Sequence, residues 1–267
     1  MKAHEIVSKV LLKMKEHVRP GIDTFTINAV GASELKKLGG TSYNQGYKPN
    51  WARTAFPAVA CISVNNVIAH GIPSESIFLE EGDLVNLDIG IRDSEGNCGD
   101  AAFSLGVGKL SEKDEILLRY AKKVLYAGIA KVKEGVMIGE VAAAMQRVAN
   151  ERKLLINHQL CGHYIGKEMH ENAFYQVPNP YFQDPKQFDQ YEKYMEEKLV
   201  AGKILCLEPC LTNGRDKWGK IDDDGWELKT ADGANSAMFE HMIRVLPDGY
   251  EILTNHFAYA KGDSGRL

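Results

Sequence analysis

Five side chains able to bind a divalent metal are spread along the 267 residues, each inside a short apolar run: Asp88, Asp100, His163, Glu208 and Glu240. Asp88 lies in Val85-Asn86-Leu87-Asp88-Ile89-Gly90-Ile91, and Asp100 in Cys98-Gly99-Asp100-Ala101-Ala102-Phe103. His163 stands in Cys161-Gly162-His163-Tyr164-Ile165-Gly166, where flanking glycines allow close backbone approach. Glu208 follows Ile204-Leu205-Cys206-Leu207 and precedes Pro209, and Glu240 sits within Ala237-Met238-Phe239-Glu240-His241-Met242-Ile243. Carboxylates gathered inside a domain repel one another and are costly to desolvate unless a cation lies between them. Four carboxylates and one imidazole form a hard, oxygen-rich set. It suits two divalent ions such as Mn, Fe or Co sharing carboxylates better than a structural zinc.

Two more histidines have chemistry to offer. His70 closes Asn65-Asn66-Val67-Ile68-Ala69-His70 before Gly71-Ile72-Pro73, and His170 follows Gly166-Lys167-Glu168-Met169. Either can donate a hydrogen bond to a substrate amide or a developing oxyanion. His241 adjoins Glu240 but points to the other face of its strand, so a structural role is expected.

The elements that must position these groups follow from periodicity. Val85, Leu87, Ile89 and Ile91 alternate with Asn86, Asp88, Gly90 and Arg92, the pattern of a strand with one buried face. Ser94-Glu95-Gly96-Asn97 is turn chemistry, so the Asp100 segment should return antiparallel and bring Asp100 near Asp88. Helical spacing runs over Ile6, Val7, Val10, Leu11, Met14 and Val18, and again from a cap at Asp23 or Thr24 through Leu35. A second pair is expected from a Ser111/Asp114 capping box through Ile129, and from Gly139 to Lys153. Strands are expected at Val59–Val64, Val67–His70, Leu160–Ile165, Ile204–Leu211, Phe239–Leu246 and Tyr250–Leu253. Thr41–Phe56 and Lys217–Gly225 read as loops, and Phe188–Leu199 as a short helix. Lys9-Val10-Leu11 and Val18-Arg19-x-Gly21-Ile22 recur as Lys123-Val124-Leu125 and Val132-Lys133-x-Gly135-Val136 at a constant offset. That repetition predicts one α+β domain over 1–267, made of halves at about 1–110 and 111–258, with a site between them.

Composition narrows the function classes. A net charge of −4 without a basic cluster argues against nucleic acid, and no apolar run reaches the ~20 residues of a membrane span. The five cysteines are odd in number and form no Cys-x-x-Cys pair, so free thiols in a reducing, cytoplasmic setting are expected. His4, Glu5, Lys9 and Lys13 make the start of the chain unlike a signal peptide.

Taken together, the segments named above resemble those of the type I methionine aminopeptidases. The match runs through His70-Gly71-Ile72-Pro73, Val85-Asn86-Leu87-Asp88, Gly99-Asp100, Gly162-His163-x-Ile165-Gly166, His170-Glu171, Leu207-Glu208-Pro209, Asp224-Gly225-Trp226 and Ser236-Ala237-x-Phe239-Glu240-His241. The resemblance implies the pita-bread fold: pseudo-two-fold halves, with antiparallel sheet flanked by helices. It implies that Asp88 chelates one metal, Asp100 and Glu240 bridge two, and His163 and Glu208 complete the second site. Glu208 is then the proton shuttle, with His70 and His170 contacting the scissile amide and its oxygen. Asn65, Val67 and Ser236 match the family's monovalent-cation site. The implied substrates are the N-termini of peptides and nascent chains, met by a monomer and, for nascent chains, at the ribosome.

Departures from the family pattern fall around the substrate pocket. Phe56, Cys61 and Trp226 fit an apolar lining for a methionine side chain, whereas Arg53, Met169 and Tyr164 replace residues the family more often has. The Val177–Val200 segment is also longer than in compact relatives. These changes admit a second reading, the same hydrolysis with a shifted first-residue preference. A non-catalytic relative on the same fold is disfavoured because every expected ligand is present.

Overall fold

A computed structural model describes residues 1–171, 173–174 and 195–257. The chain opens with two helices, α1 (Ala3–Lys15) and α2 (Thr24–Lys37). α1 buries Ile6, Val7, Val10, Leu11 and Met14 along one stripe, and each such side chain removed from water contributes about 1.5–3 kcal/mol. Asp23 caps α2, accepting from the Thr26 N–H at 2.7 Å. Strands β1 (Thr41–Ser42), β2 (Cys61–Val64) and β3 (Val67–Ala69) precede the hairpin of β4 (Leu84–Arg92) and β5 (Cys98–Gly106). Its turn closes on Asp93, whose Oδ1 accepts from the Glu95 and Asn97 amides.

The helix–helix–strand order then repeats. α3 (Glu112–Ile129) and α4 (Ile138–Asn150) lead into β6 (Leu155–Ile156), β7 (Gly162–Tyr164), β8 (Ala173–Phe174), β9 (Ile204–Leu207) and β10 (Cys210–Thr212). β11 (Gly219–Ile221), β12 (Leu228–Thr230), β13 (Ser236–Met238), β14 (His241–Leu246) and β15 (Gly249–Ile252) complete the elements of the described residues. Ser111 caps α3 by accepting from the Asp114 amide at 3.2 Å, but the expected box closes differently: Ser111 Oγ donates to the Asp114 carboxylate at 2.6 Å.

Among the described residues all strand pairs are antiparallel. β5, β4, β1 and β2 form one sheet around β4, and β15-β14-β9-β7-β8 another. Two smaller sheets run β13-β10-β6 and β11-β12-β3. The two larger sheets meet where the Glu240 amide donates to the Ala102 carbonyl at 2.8 Å, beside a bridge between Phe103 and Phe239. Val85, Leu87, Ile89 and Ile91 enter a core shared with Ile6, Leu11, Leu117 and Val124 from the helices. Helices thus cover that face of the hairpin and leave the Asn86–Asp88–Gly90 face turned toward the rest of the fold.

Several expectations are corrected. β4 is not single-faced: Asn86 is buried too, its amide donating to Ser104 Oγ and to the Met238 carbonyl at 3.2 Å each. The strand expected over Ile204–Leu211 is two, interrupted at Glu208-Pro209, because proline has no N–H to extend a ladder. The strand expected from Phe239 begins at His241, with β13 ending before it at Met238. Lys217–Gly225 is not all loop, since it contains β11. Most of the expected Phe188–Leu199 helix and of the Val177–Val200 segment lies outside the described residues; of the described end, Met195 and Glu196 are helical, whereas Lys198 forms a bridge with Met137.

Candidate metal centre and its pocket

The β4–β5 register sets Asp100 opposite Gly90 and Asp88 opposite Ala102, so the two aspartates are diagonal neighbours on one face. Gly90 leaves that face open. A Cβ there would come within 2.6 Å of Met169 Cε and 2.7 Å of Asn44 Oδ1. From the other large sheet, His163 on β7 pairs with Cys206 on β9, and Cys206 in turn with Met242 on β14. Alternation then places Glu208, two residues beyond Cys206, and Glu240, two before Met242, on the same face. Both glutamates sit where their ladder is broken, which frees their backbones to lean toward the hairpin.

The groups converge. His163 Nε2 lies 3.4 Å from Glu208 Oε1 and 3.6 Å from Asp100 Oδ2. His163 Nδ1 is 3.2 Å from the Tyr164 carbonyl; a carbonyl only accepts, so Nδ1 carries a proton, and Nε2 is the atom that faces the cluster. One ligand atom each from Asp100, His163, Cys206 and Glu240 fall within 4.8 Å of one another. Glu240 is 1% exposed, yet its Oε1 has no hydrogen-bond partner.

Electrostatics give the same picture. Loss of bulk water, then the charges of Asp100 and Glu208, push Asp88 well above the ordinary carboxylate range. Glu240 is pushed up likewise by burial, then by Asp100, Glu208 and Asp88. Burial raises Glu208 to about 8, against the pull of His163. For His163 burial acts downward, but the Asp100 hydrogen bond and the Glu208 and Asp100 charges together outweigh it and raise the imidazole. Among the described residues that line this pocket there is no Lys or Arg. A crowd of carboxylates with no organic cation and an orphaned buried oxygen fits an inorganic cation.

The cluster forms the floor of a pocket of about 470 Å³. Its walls are aromatic: Tyr43, Tyr47, Trp51, Phe56 and Trp226, with Cys61 and Met169. The Trp226 ring lies 5.1 Å from Phe56 and 5.0 Å from Trp51, and its indole N–H donates to the Thr54 carbonyl. The acidic triplet Asp222-Asp223-Asp224 is a turn, and it has a task besides: Asp224 Oδ1 accepts from the Trp226 and Glu227 amides at 2.6 and 2.9 Å.

His70 stands at the pocket wall with φ of +60°, a left-handed backbone that costs a non-glycine residue about 1–2 kcal/mol. Hydrogen bonds on the following residues hold it there. The Ile62 amide donates to the Gly71 carbonyl, the Gly71 amide to Ser63 Oγ, and the Ile72 amide to Glu227 Oε1, at 2.9, 3.1 and 3.0 Å. His170 lies 4.4 Å from His163, ring to ring, and loss of water with His163 beside it lowers it to about 4. At neutral pH it is an uncharged N–H donor.

Two expected pocket residues are elsewhere. Tyr164 follows His163 in β7, so alternation turns it to the opposite face, where it is buried and bonded to Glu197. Arg53 is exposed and lies along Gly225 outside the lining. Of the monovalent-cation set, Asn65 and Ser236 meet, the Ser236 amide donating to the Asn65 carbonyl at 2.8 Å, with Val67 on β3. His241 is buried and hydrogen-bonded by Thr254 and Tyr126, away from the cluster. Sequence reasoning missed Tyr43, Asn44, Tyr47, Trp51 and Cys206. Cys206 had a signal, its spacing of two from Glu208 along one apolar run; the loop aromatics had none.

Comparison with known proteins gives one consistent result. The family model described as metallopeptidase family M24 matches residues 1–247. A methionine aminopeptidase of Clostridium perfringens is 35% identical over 253 residues, covering 95% of this chain and 93% of that one. One from Aquifex aeolicus is 32% identical over the same shares. The crystal structure of a methionine aminopeptidase from Thermotoga maritima superposes with a TM-score of 0.83 at 28% identity, covering 94% of this chain and 93% of that chain. The arrangement of helices and sheets is the pita-bread fold. No described helix is long and apolar enough to cross a membrane.

Proposed function

Because the chain belongs to the metallopeptidase family M24, we propose that it is a methionyl aminopeptidase, hydrolysing the peptide bond after an N-terminal methionine of peptides and nascent chains. One observation carries the reading: Asp88, Asp100, His163, Glu208 and Glu240 meet at the floor of an apolar pocket that no described Lys or Arg enters. These five residues would hold two divalent ions, and an oxygen-rich set with one imidazole suits Mn, Fe or Co. Such ions supply Lewis acidity and a water acidic enough to act as a nucleophile.

The chain's own residues account for the rest. The open pocket above the floor receives the substrate's N-terminal end, with its first residue against the aromatic walls. Phe56, Trp226, Tyr47 and Cys61 surround that residue's side chain, and a thioether against aromatic rings gains about 0.3–1.5 kcal/mol. Glu208, beside His163 at the pocket floor, can take up a proton and pass it to the departing amine. Neutral His170 donates to the oxygen on which charge develops, and His70 faces the amide being cut. Arg53 and Tyr164 lie off the pocket wall, which removes two of the three residues that favoured a shifted first-residue preference.

A panel of peptides tests the reading, with Met-Ala-Ser beside Leu-, Arg-, Ala- and Xaa-Pro-starting ones, and Mn, Fe or Co added. Cleavage of the Met peptide ahead of the others is the expected result. Preferential release of another first residue, or no release with any of the metals, would overturn it.

A further inference from the structure

Cys206 is fully buried on β9, flanked in register by His163 of β7 and Met242 of β14. Its Sγ belongs to the set of ligand atoms, with those of Asp100, His163 and Glu240, that lie within 4.8 Å of one another. The thiol therefore lies beside the Glu240 carboxylate, and the Glu240 backbone amide is held by the Ala102 carbonyl of β5. What remains free is Oε1, buried and without a hydrogen-bond partner.

A glutamate side chain has three rotatable bonds, and a bridging ligand must keep one orientation to serve two ions. The buried S–H is a weak donor. It can fix the carboxylate while drawing little charge from it. We propose that Cys206 is a positioning residue of the metal centre, its S–H holding the Glu240 carboxylate so that Oε1 is aimed at the ion. The inference rests on the reading of Glu240 as a ligand.

Cys206→Thr and Cys206→Val test it, since the two replacements match in volume and differ in a hydroxyl against a methyl. The full-length protein is stripped with chelator and titrated with Co(II) alone, following the visible absorption of the bound ion and competition with an indicator dye. Circular dichroism checks the fold. The threonine variant should bind within about threefold of the unaltered protein and the valine variant about 10- to 100-fold more weakly, with a changed cobalt spectrum. Equal affinity and equal spectra for the two variants would overturn the proposal. Where either side chain overfills the site, Cys206→Ser and Cys206→Ala make the same comparison at smaller volume. Unaltered protein that takes up no Co(II), or Glu240→Gln that binds it as tightly as before, instead removes the ligand reading, and the role of Cys206 falls with it.

Discussion

Gly71→Ala should damage both stability and activity, although it adds a single methyl group. A Cβ at Gly71 would lie 2.3 Å from the Ile62 carbonyl oxygen and 2.7 Å from Ser63 Cα, both backbone atoms of β2 that cannot rotate away. Ordinary contact needs about 3.5 Å, so the His70–Gly71 segment must retreat from β2 by about 1 Å. Overpacking of that kind costs about 1–3 kcal/mol. The retreat also stretches the Ile62 N–H···O=C Gly71 and Gly71 N–H···Oγ Ser63 hydrogen bonds, each worth about 0.5–1.5 kcal/mol. A total near 3 kcal/mol lowers Tm by about 6–12 °C in a chain of this size. His70 moves with Gly71, and misplacement of a substrate-positioning group by about 1 Å costs about 100-fold in kcat/KM. Thermal unfolding and Met-Ala-Ser hydrolysis measure the two effects. Gly249→Ala is the control: its Cβ meets nothing within 4 Å, and it should stay within about 0.5 kcal/mol. A Gly71→Ala protein that melts and turns over like the control would refute the reasoning.

Glu240→Gln should abolish turnover yet raise the melting temperature of chelator-treated protein, because it removes a carboxylate crowded by Asp100, Glu208 and Asp88; calorimetry in chelator shows the sign. In the same metal-free state the raised carboxyls of Asp88, Glu208 and Glu240 make the folded chain bind more protons than the unfolded one. Their contribution is complete below the unfolded carboxyl range and is lost as pH climbs through about 8. The lowered histidines His70, His170, His241 and His256 act in the opposite sense only below about pH 7. Urea midpoints should therefore fall between about pH 7 and 9, and a midpoint rising over that window contradicts this. Asp224→Ala removes the acceptor of two amides that shape the Trp226 turn; KM for Met peptides should rise about 5- to 10-fold, the equivalent of one hydrogen bond, with kcat little changed. Steady-state kinetics on Met-Ala-Ser distinguishes that from a fall in kcat alone.

The helices and the central hairpin were legible because periodicity is a local signal and their apolar stripes are long. The same alternation that marked β4 also excludes Tyr164 from the pocket, since it follows an inward His163; there, analogy by position outweighed geometry. The strand breaks at Glu208-Pro209 and Phe239-Glu240 were hidden within continuous apolar runs. Only the packing of one sheet against the other decides that these runs end at the ligands. β11, β12 and β13 have three residues each, too few to display a period. Tyr43, Tyr47 and Trp51 come from a stretch with no repeat at all, and become a wall only because Trp226 and His170 arrive from distant parts of the chain.

The two aspartates arrive on the hairpin, whereas His163, Glu208 and Glu240 come from strands that follow α4. Backbone contacts between these groups include the Glu240 amide on the Ala102 carbonyl and the Cys98 amide on the Gly166 carbonyl. Ions held by both groups would rivet that seam. Such a rivet forms only once both sheets are in place, so its effect falls on the rate of coming apart rather than the rate of assembly. The metal-loaded enzyme should then outlast the stripped one under protease or heat by far more than its refolding rate changes. The broken ladders that open the site to substrate make the bound ions its kinetic lock.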